Sequence, residues 1–369
     1  MKRYRLMIPG PVEVAPEVLA AMAEPLVAHY GEEWTAFYKG TIRLLQKVFR
    51  TEGDVFLLVG SGSAGLDAAL GSALAPAGKV LIPQNGFFGE RLAEIARTYV
   101  LDVTTVKFPL GQAYDLERIE DVLRGGSFQA VAAVHCETST GVLNPIRELA
   151  ELCRRYPVVL IVDAISSLAI DPLEMDNWGI GICVSASQKG LESPPGLALV
   201  AVAPQAWEVI ERNRRPGWYL NLKVWREYTE KWGDWHPHPI TQAVNNVRAL
   251  RVGVERILSE GLEARWSRHR EVAERLRKGL RDLGLKLFVP DEIASHGVTS
   301  VVAPNGKASE LLAYLRERHA LLLAGSLGEL RGKVFRIGHM GPTADQEAID
   351  YVLCALSSTL GGVRLDLQG

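Results

Sequence analysis

The stretch SASQKGLESPPGLALV, residues 185–200, contains one lysine. Lys189 follows an apolar run ending at Cys183-Val184 and precedes the turn Pro194-Pro195-Gly196, after which Leu197–Val202 is apolar again. The end of a buried strand is a poor place for a solvated cation. A lysine desolvated beside other cations loses its proton readily and becomes a nucleophilic amine, able to form a Schiff base with an aldehyde. The plain alternative for a single lysine is a surface charge. Asp163 has a matching position at the end of the run VVLIV. A carboxylate there is costly without a partner, and ligands of open α/β sheets bind at that carboxyl edge. A helix N-cap or a structural ion pair is the alternative for Asp163.

The third element is GSGSAG, Gly60–Gly65, between an apolar run and a helical pattern. Taken alone it fits a dinucleotide fingerprint. That reading needs an acid at the end of the following strand to hold a ribose, and Ile82-Pro83-Gln84-Asn85 offers none. A glycine-rich turn opening a helix still presents free N–H groups and a positive dipole end, which suit a phosphate. A tight turn with no ligand is the alternative. A phosphate turn, a buried aspartate and a strand-end lysine together fit pyridoxal 5'-phosphate, with the phosphate on Gly60–Gly65, the pyridine nitrogen on Asp163 and the aldehyde on Lys189.

These residues need elements to hold them. Val55–Val59, Lys79–Pro83, Gln129–His135, Val158–Asp163, Ile182–Ser185 and Leu197–Val202 read as strands. Ala64–Ala75, Glu90–Tyr99 and Ile146–Tyr156 read as helices between them. Continuous apolar strands linked by helices predict an α/β fold with a mostly parallel sheet covered on both faces. From Gln242 to Gly284 the pattern is nearly unbroken helix, followed by shorter strands and helices that predict a smaller α+β domain. The expected organisation is an N-terminal arm (1–20), a large cofactor-binding domain (21–255) and a small C-terminal domain (256–369).

The chain has 369 residues, 47% hydrophobic and 23% charged, with a net charge of −2. A sizeable core is expected. No global field favours nucleic acid or an anionic membrane. No stretch approaches the roughly 18 apolar residues of a membrane span. The N-terminus lacks the apolar core of a secretory signal, and the C-terminal LDLQG carries no sorting motif. Cys136, Cys153, Cys183 and Cys354 are scattered without metal or redox spacing, so no metal is expected and a reducing cytoplasm fits. Cys153 and Cys354 are expected in the core.

Several motifs in order resemble one family: PGPVEVAPEVLAAM (9–22), SGSAGLDAAL (61–70), NGFFGER (85–91), HCETSTGVLNPI (135–146), VDAISSL (162–168), SQKGLESPPGLA (187–198) and FRIGHMG (335–341). The sequence resembles the class V (fold type I) pyridoxal-phosphate aminotransferases, in particular the alanine–glyoxylate / serine–pyruvate group. The resemblance implies a seven-stranded-type sheet in the large domain. It implies Lys189 as Schiff-base lysine and proton carrier, with Asp163 keeping the pyridine nitrogen protonated. Phe88 would stack on the ring, and Thr138 would bond near its phenolic oxygen. The phosphate would meet Ser61, Gly62, Ser63, Ala64 and Gln188. Arg336 would hold the substrate carboxylate in a bidentate fork, with Gly10 nearby. WHPHPITQAVNNVRAL (235–250) resembles a segment donated to the phosphate by the partner of a homodimer, through Thr241 and His238. The implied substrates are a small amino acid, alanine or serine, and a 2-oxo acid, glyoxylate or pyruvate.

A cysteine desulfurase or lyase shares this fold. Such relatives usually carry His before the lysine and a nucleophilic Cys on a small-domain loop. Here Gln188 precedes Lys189, and AGSLGELRGK (324–333) has no Cys. A non-catalytic homologue is the remaining alternative, against which intact Lys189, Asp163 and Arg336 argue.

Overall fold

The computed structural model describes residues 3–100, 102–213 and 217–362; the C-terminal LDLQG lies outside them. Seven strands form the central sheet: β1 (Asp54–Val59), β2 (Lys79–Gln84), β3 (Asp102–Lys107), β4 (Ala130–Val134), β5 (Val159–Asp163), β6 (Ile182–Ala186) and β7 (Leu197–Val202). Their spatial order is β1-β7-β6-β5-β4-β2-β3. Neighbours pair parallel throughout except around β7, which runs antiparallel to both β1 and β6. Side-chain alternation explains why the strands read as continuously apolar. Leu57, Leu81 and Val162 enter one buried cluster, while Leu58, Ile82 and Ile161 enter the cluster on the opposite face.

Strand β3 was not expected from sequence. Its residues DVTTVK include only one buried side chain, Val106, because β3 pairs with β2 alone at the sheet edge. Edge strands need no apolar run, so periodicity missed it. The expected helices 64–75 and 90–99 begin earlier, as α1 (Gly62–Ala73) and α2 (Phe87–Arg97). The long helical tract is two helices, α3 (Val244–Glu260) and α4 (Leu262–Asp282). Gly261 separates them at φ 84°, a left-handed value that glycine adopts without a Cβ clash.

The second sheet holds β8 (Val298–Val302), β9 (Ala324–Gly325) and β10 (Val334–Gly338), in the order β8-β10-β9. Its core joins Val272 and Leu276 of α4 to Val301, Phe335 and Ile337, and it also takes in Met7. Arg5–Leu6 pairs parallel with Leu321–Leu322. This two-stranded pair is separate from the three-stranded sheet, and from it the chain runs past Pro9-Gly10 toward the large sheet. Cys136, Cys153 and Cys183 are buried, whereas Cys354 is exposed. Its helix, Gln346–Gly362, turns Val352, Ala355 and Leu356 inward instead. No helix among the described residues is long and apolar enough to cross a membrane.

Candidate active site

The parallel strands β1, β4, β5 and β6 end at one edge of the sheet, and each delivers a segment to the same cavity, about 230 Å³ in volume. Strand β5 ends on Asp163 itself. After β1 come Ser61 to Ser63; after β4, Cys136 and Thr138; after β6, Gln188 and Lys189. Parallel strands place all their carboxyl ends together, so residues far apart in sequence converge.

The turn after β1 fits tightly for a packing reason. A Cβ on Gly62 would lie 2.5 Å from Ile165 Cδ1, and one on Gly65 would lie 2.7 Å from Val184 Cγ1. These glycines let α1 press against the sheet. The Ala64 N–H donates to the Ser61 carbonyl at 2.8 Å, and Ala64 does not line the cavity. The Ala64 N–H is thus engaged within the turn. The N–H groups of Gly62 and Ser63 stand at the open, positive end of the helix dipole.

Asp163 is 5% exposed and accepts the Ile165 N–H on Oδ1 at 2.9 Å. Burial pushes its carboxyl up to about 7, with Lys189 and Arg91 pulling the other way. Lys189 is lowered to about 8 by burial first and then by the Arg336 guanidinium. Its Nζ donates to the Pro9 carbonyl. A Cβ on Gly10, whose φ is 96°, would come within 2.5 Å of Lys189 Cδ. Gly10 therefore clears space for the lysine side chain. Gln188 accepts the Val12 N–H on its carbonyl at 3.1 Å, and its side-chain Oε1 is buried without a partner.

Arg336 comes from the other sheet, on the central strand β10, opposite Ser300 and Ala324. Three of its five N–H groups are held by main-chain carbonyls: Nε and Nη2 by Gly325 at 3.0 and 2.7 Å, Nη1 by Thr138 at 2.9 Å. One N–H on each Nη remains. Burial lowers its pKa to about 10, which leaves it charged at neutral pH.

Phe88 lines the cavity. Its neighbours there were not foreseen as site residues: Arg91, Cys136, Ile165, Ser166 and Leu66. Arg91 lies one helical turn beyond Phe88, a spacing already present in NGFFGER. Its guanidinium stands 4.8 Å from the Phe87 ring centroid and 5.2 Å from that of Phe88. Glu137 lies behind the wall, fully buried, and accepts the Phe88 and Gly89 N–H groups, each at 3.0 Å on Oε2. Nothing in periodicity signals such a contact across 48 residues.

His238 and Thr241 do not line this cavity. The His238 ring is fully buried; its Nε2 accepts the Trp34 indole N–H at 2.8 Å and its Nδ1 meets the Ile240 carbonyl at 2.8 Å. Both ring nitrogens are thus engaged within the chain. Thr241 is exposed.

A family profile described as aminotransferase class-V matches residues 17–352. The chain belongs to the class-V aminotransferases. It is 40% identical to an uncharacterized aminotransferase of Methanocaldococcus jannaschii, over 95% of this chain and 91% of that one. It is 33% identical to the L-aspartate–glyoxylate aminotransferase of Paracoccus denitrificans, over 95% and 89%. Among solved structures, the alanine–glyoxylate aminotransferase of Nostoc sp. superposes with a TM-score of 0.93 at 34% identity, covering 98% of this chain and 96% of that one.

As a class-V aminotransferase the chain uses pyridoxal phosphate, and its residues fit that group. The cavity offers free helix N–H groups for a phosphate, a buried carboxylate for a pyridinium and an amine of lowered basicity for an aldehyde. The Gln188 Oε1 is buried with no hydrogen-bond donor to it among the described residues. Bound, the group withdraws electrons from the carbon that carries the amine.

Proposed function

We infer that this class-V aminotransferase moves the amino group of a small amino acid, alanine or serine, to glyoxylate or pyruvate. The observation that carries the reading is Arg336. Its guanidinium is fixed by main-chain carbonyls and keeps two N–H groups free, a fork for one carboxylate. Both the Nostoc and the Paracoccus relatives act on glyoxylate, which supports it as the acceptor.

The proposed roles are those the family resemblance implies. Lys189 would hold the cofactor through its aldehyde, and once the substrate's amine has displaced it, its freed neutral Nζ would take the Cα proton of the substrate and return it one carbon away. Asp163 carries the negative charge facing the pyridine nitrogen. Phe88 covers the ring, and Thr138 bonds its phenolic oxygen. Ser61, Gly62, Ser63 and Gln188 hold the phosphate. Gly10 gives Lys189 room beside the carboxylate.

A dicarboxylic donor such as aspartate is the second reading, favoured by Arg91, a further cation in the wall. Its guanidinium lies over Phe87 and Phe88 instead, so the small donors come first. Initial rates with alanine, serine and aspartate against glyoxylate and pyruvate decide. A preference for aspartate sinks the first reading. The desulfurase alternative lacks a nucleophile: Cys136 lines the cavity, but burial pushes its thiol well above the usual range. Sulfide release from cysteine at the transamination rate would restore it.

The proposed assembly is a homodimer in which the partner's copy of Thr241 reaches the phosphate. Exposed apolar side chains support it: Leu26 at 79%, Trp218 at 50%, Trp232 at 50% and Trp235 at 49%. Four unpaired cysteines fit a cytoplasmic compartment.

A further inference from the structure

Glu137 has no role in the reading above, yet it joins more parts of the site than any residue assigned to it. It sits on the two-residue strand Cys136–Glu137, paired with Val142–Leu143, so the loop between them is pinned at both ends. The Glu137 carbonyl accepts the Thr140 and Gly141 N–H groups at 3.1 and 2.8 Å, which tightens the loop further.

Its carboxylate closes the N-terminus of α2. Oε2 accepts the Phe88 and Gly89 N–H groups, and Oε1 accepts the Ser139 N–H at 3.2 Å and the Ser139 hydroxyl. The Ser139 Oγ in turn accepts the Phe87 N–H at 3.0 Å. The first turn of α2 is therefore capped from a distant segment. Its own preceding residue is Gly86, which has no side chain to offer. A Cβ at Gly86 would lie 2.6 Å from Glu137 Cδ and 2.6 Å from Ser139 Oγ, so glycine makes room for the cap. An anion at a helix N-terminus also opposes the dipole favourably.

The other side of the same loop holds the small domain. The Thr138 carbonyl accepts Arg336 Nη1 at 2.9 Å, and the Ser139 carbonyl accepts the Ser326 hydroxyl at 2.6 Å. The three-residue segment 137–139 thus fixes the first turn of α2, which carries Phe88, through its side chains and the Arg336 guanidinium through the Thr138 carbonyl.

We propose that Glu137 is a positioning residue that sets the Phe88 ring and the Arg336 fork in a single geometry, so that cofactor binding and substrate-carboxylate binding depend on it together. The proposal rests on the roles given above to Phe88 and Arg336. Glu137→Gln keeps the volume but replaces one acceptor oxygen with an N–H donor that faces other donors. Glu137→Asp keeps the charge but is one methylene too short to reach the Phe88 and Gly89 N–H groups. Gly86→Ala leaves Glu137 in place and displaces its carboxylate from outside.

The test titrates each apoprotein with pyridoxal phosphate by absorbance, follows thermal unfolding of the apoprotein, and measures kcat and KM for the amino donor. The expected result is a cofactor Kd raised tenfold or more and a donor KM raised by a similar factor in all three variants, with the apoprotein melting close to wild type. Wild-type cofactor affinity and KM in the variants overturn the proposal. So does loss of affinity that merely tracks loss of folding in all three, which would make Glu137 structural. Phe88→Ala and Arg336→Ala, measured alongside, separate the failures. If they leave cofactor affinity and KM unchanged, the site assignment has failed; if they respond and the Glu137 and Gly86 variants do not, only the positioning proposal has.

Discussion

At Lys189 two forces act in the same direction. Burial removes water from the ammonium, and Arg336 adds a repelling charge, so the proton leaves at about pH 8 rather than 10.5. Only the neutral amine attacks an aldehyde. Cofactor uptake by the apoprotein should therefore rise about tenfold per pH unit below 8 and level off above it, as stopped-flow absorbance would record; a flat profile from pH 6 to 9 contradicts it. The linkage sign agrees: between about 8 and 10.5 the unfolded chain binds the extra proton, so this lysine destabilises the apoprotein least at high pH. Lys189→Ala should show no measurable transamination, and full turnover in that variant would refute its role. Arg336→Ala should raise donor KM by roughly tenfold to a hundredfold while cofactor Kd changes far less. Comparable losses in both would make Arg336 structural. Asp163 and Lys189 were legible from sequence because a charged residue at the end of an apolar run is an anomaly that demands a reason. Glu137 and Arg91 were not, because each lies in ordinary polar surroundings and acquires its place only when α2 meets the loop after β4.

Among the elements, α1 is the one whose position is set by absent atoms. Gly65 faces Val184 and Ala198 across the sheet, and a methyl there would meet Val184 Cγ1 at 2.7 Å. Gly65→Ala gains up to about 1 kcal/mol in helix propensity but overpacks the contact at a cost of about 1–3 kcal/mol. The expected net effect is a lower urea midpoint and weaker cofactor binding, since Gly62 and Ser63 ride on the same helix. A raised midpoint would show that α1 has slack against the sheet. The element scale is also where periodicity failed. Strand β3 is half-exposed at the edge and lacks an apolar run, and the α3–α4 break falls on Gly261 inside a tract of good helix formers.

For the whole molecule, the exposed tryptophans at 218, 232 and 235 and the exposed Thr241 lie on the stretch from 217 to 241, outside the site of their own chain. Sedimentation equilibrium should give a dimer. Thr241→Ala should weaken cofactor affinity by roughly tenfold to a hundredfold, the worth of one hydrogen bond to a charged group. A fully active monomer ends the shared-site reading. Several groups join the two sheets' surroundings, among them Arg336 to Thr138, Ser326 to Ser139 and His296 to Asp171. The arm carrying Pro9 and Gly10 follows the Arg5–Leu6 strand, which pairs with Leu321–Leu322, and Arg336 reaches the Thr138 carbonyl from β10. A site built across such a seam depends on how the two sheets dock.

The sequence by itself determined the sheet class, the glycine-rich turn, the strand-end Asp163 and Lys189, and the motif order that places the chain among class-V aminotransferases. These follow from local patterns: apolar runs, glycine spacing, and charges where charge is costly. Tertiary structure decided what depends on packing at a distance. It engaged both nitrogens of His238, tied up the Ala64 N–H, left Cys354 at the surface, bound three of the five N–H groups of Arg336 to main-chain carbonyls, and drew Glu137 under α2. Those outcomes turn on which hydrogen-bond partner or neighbour a side chain meets once burial removes water, and one-dimensional spacing carries no record of that.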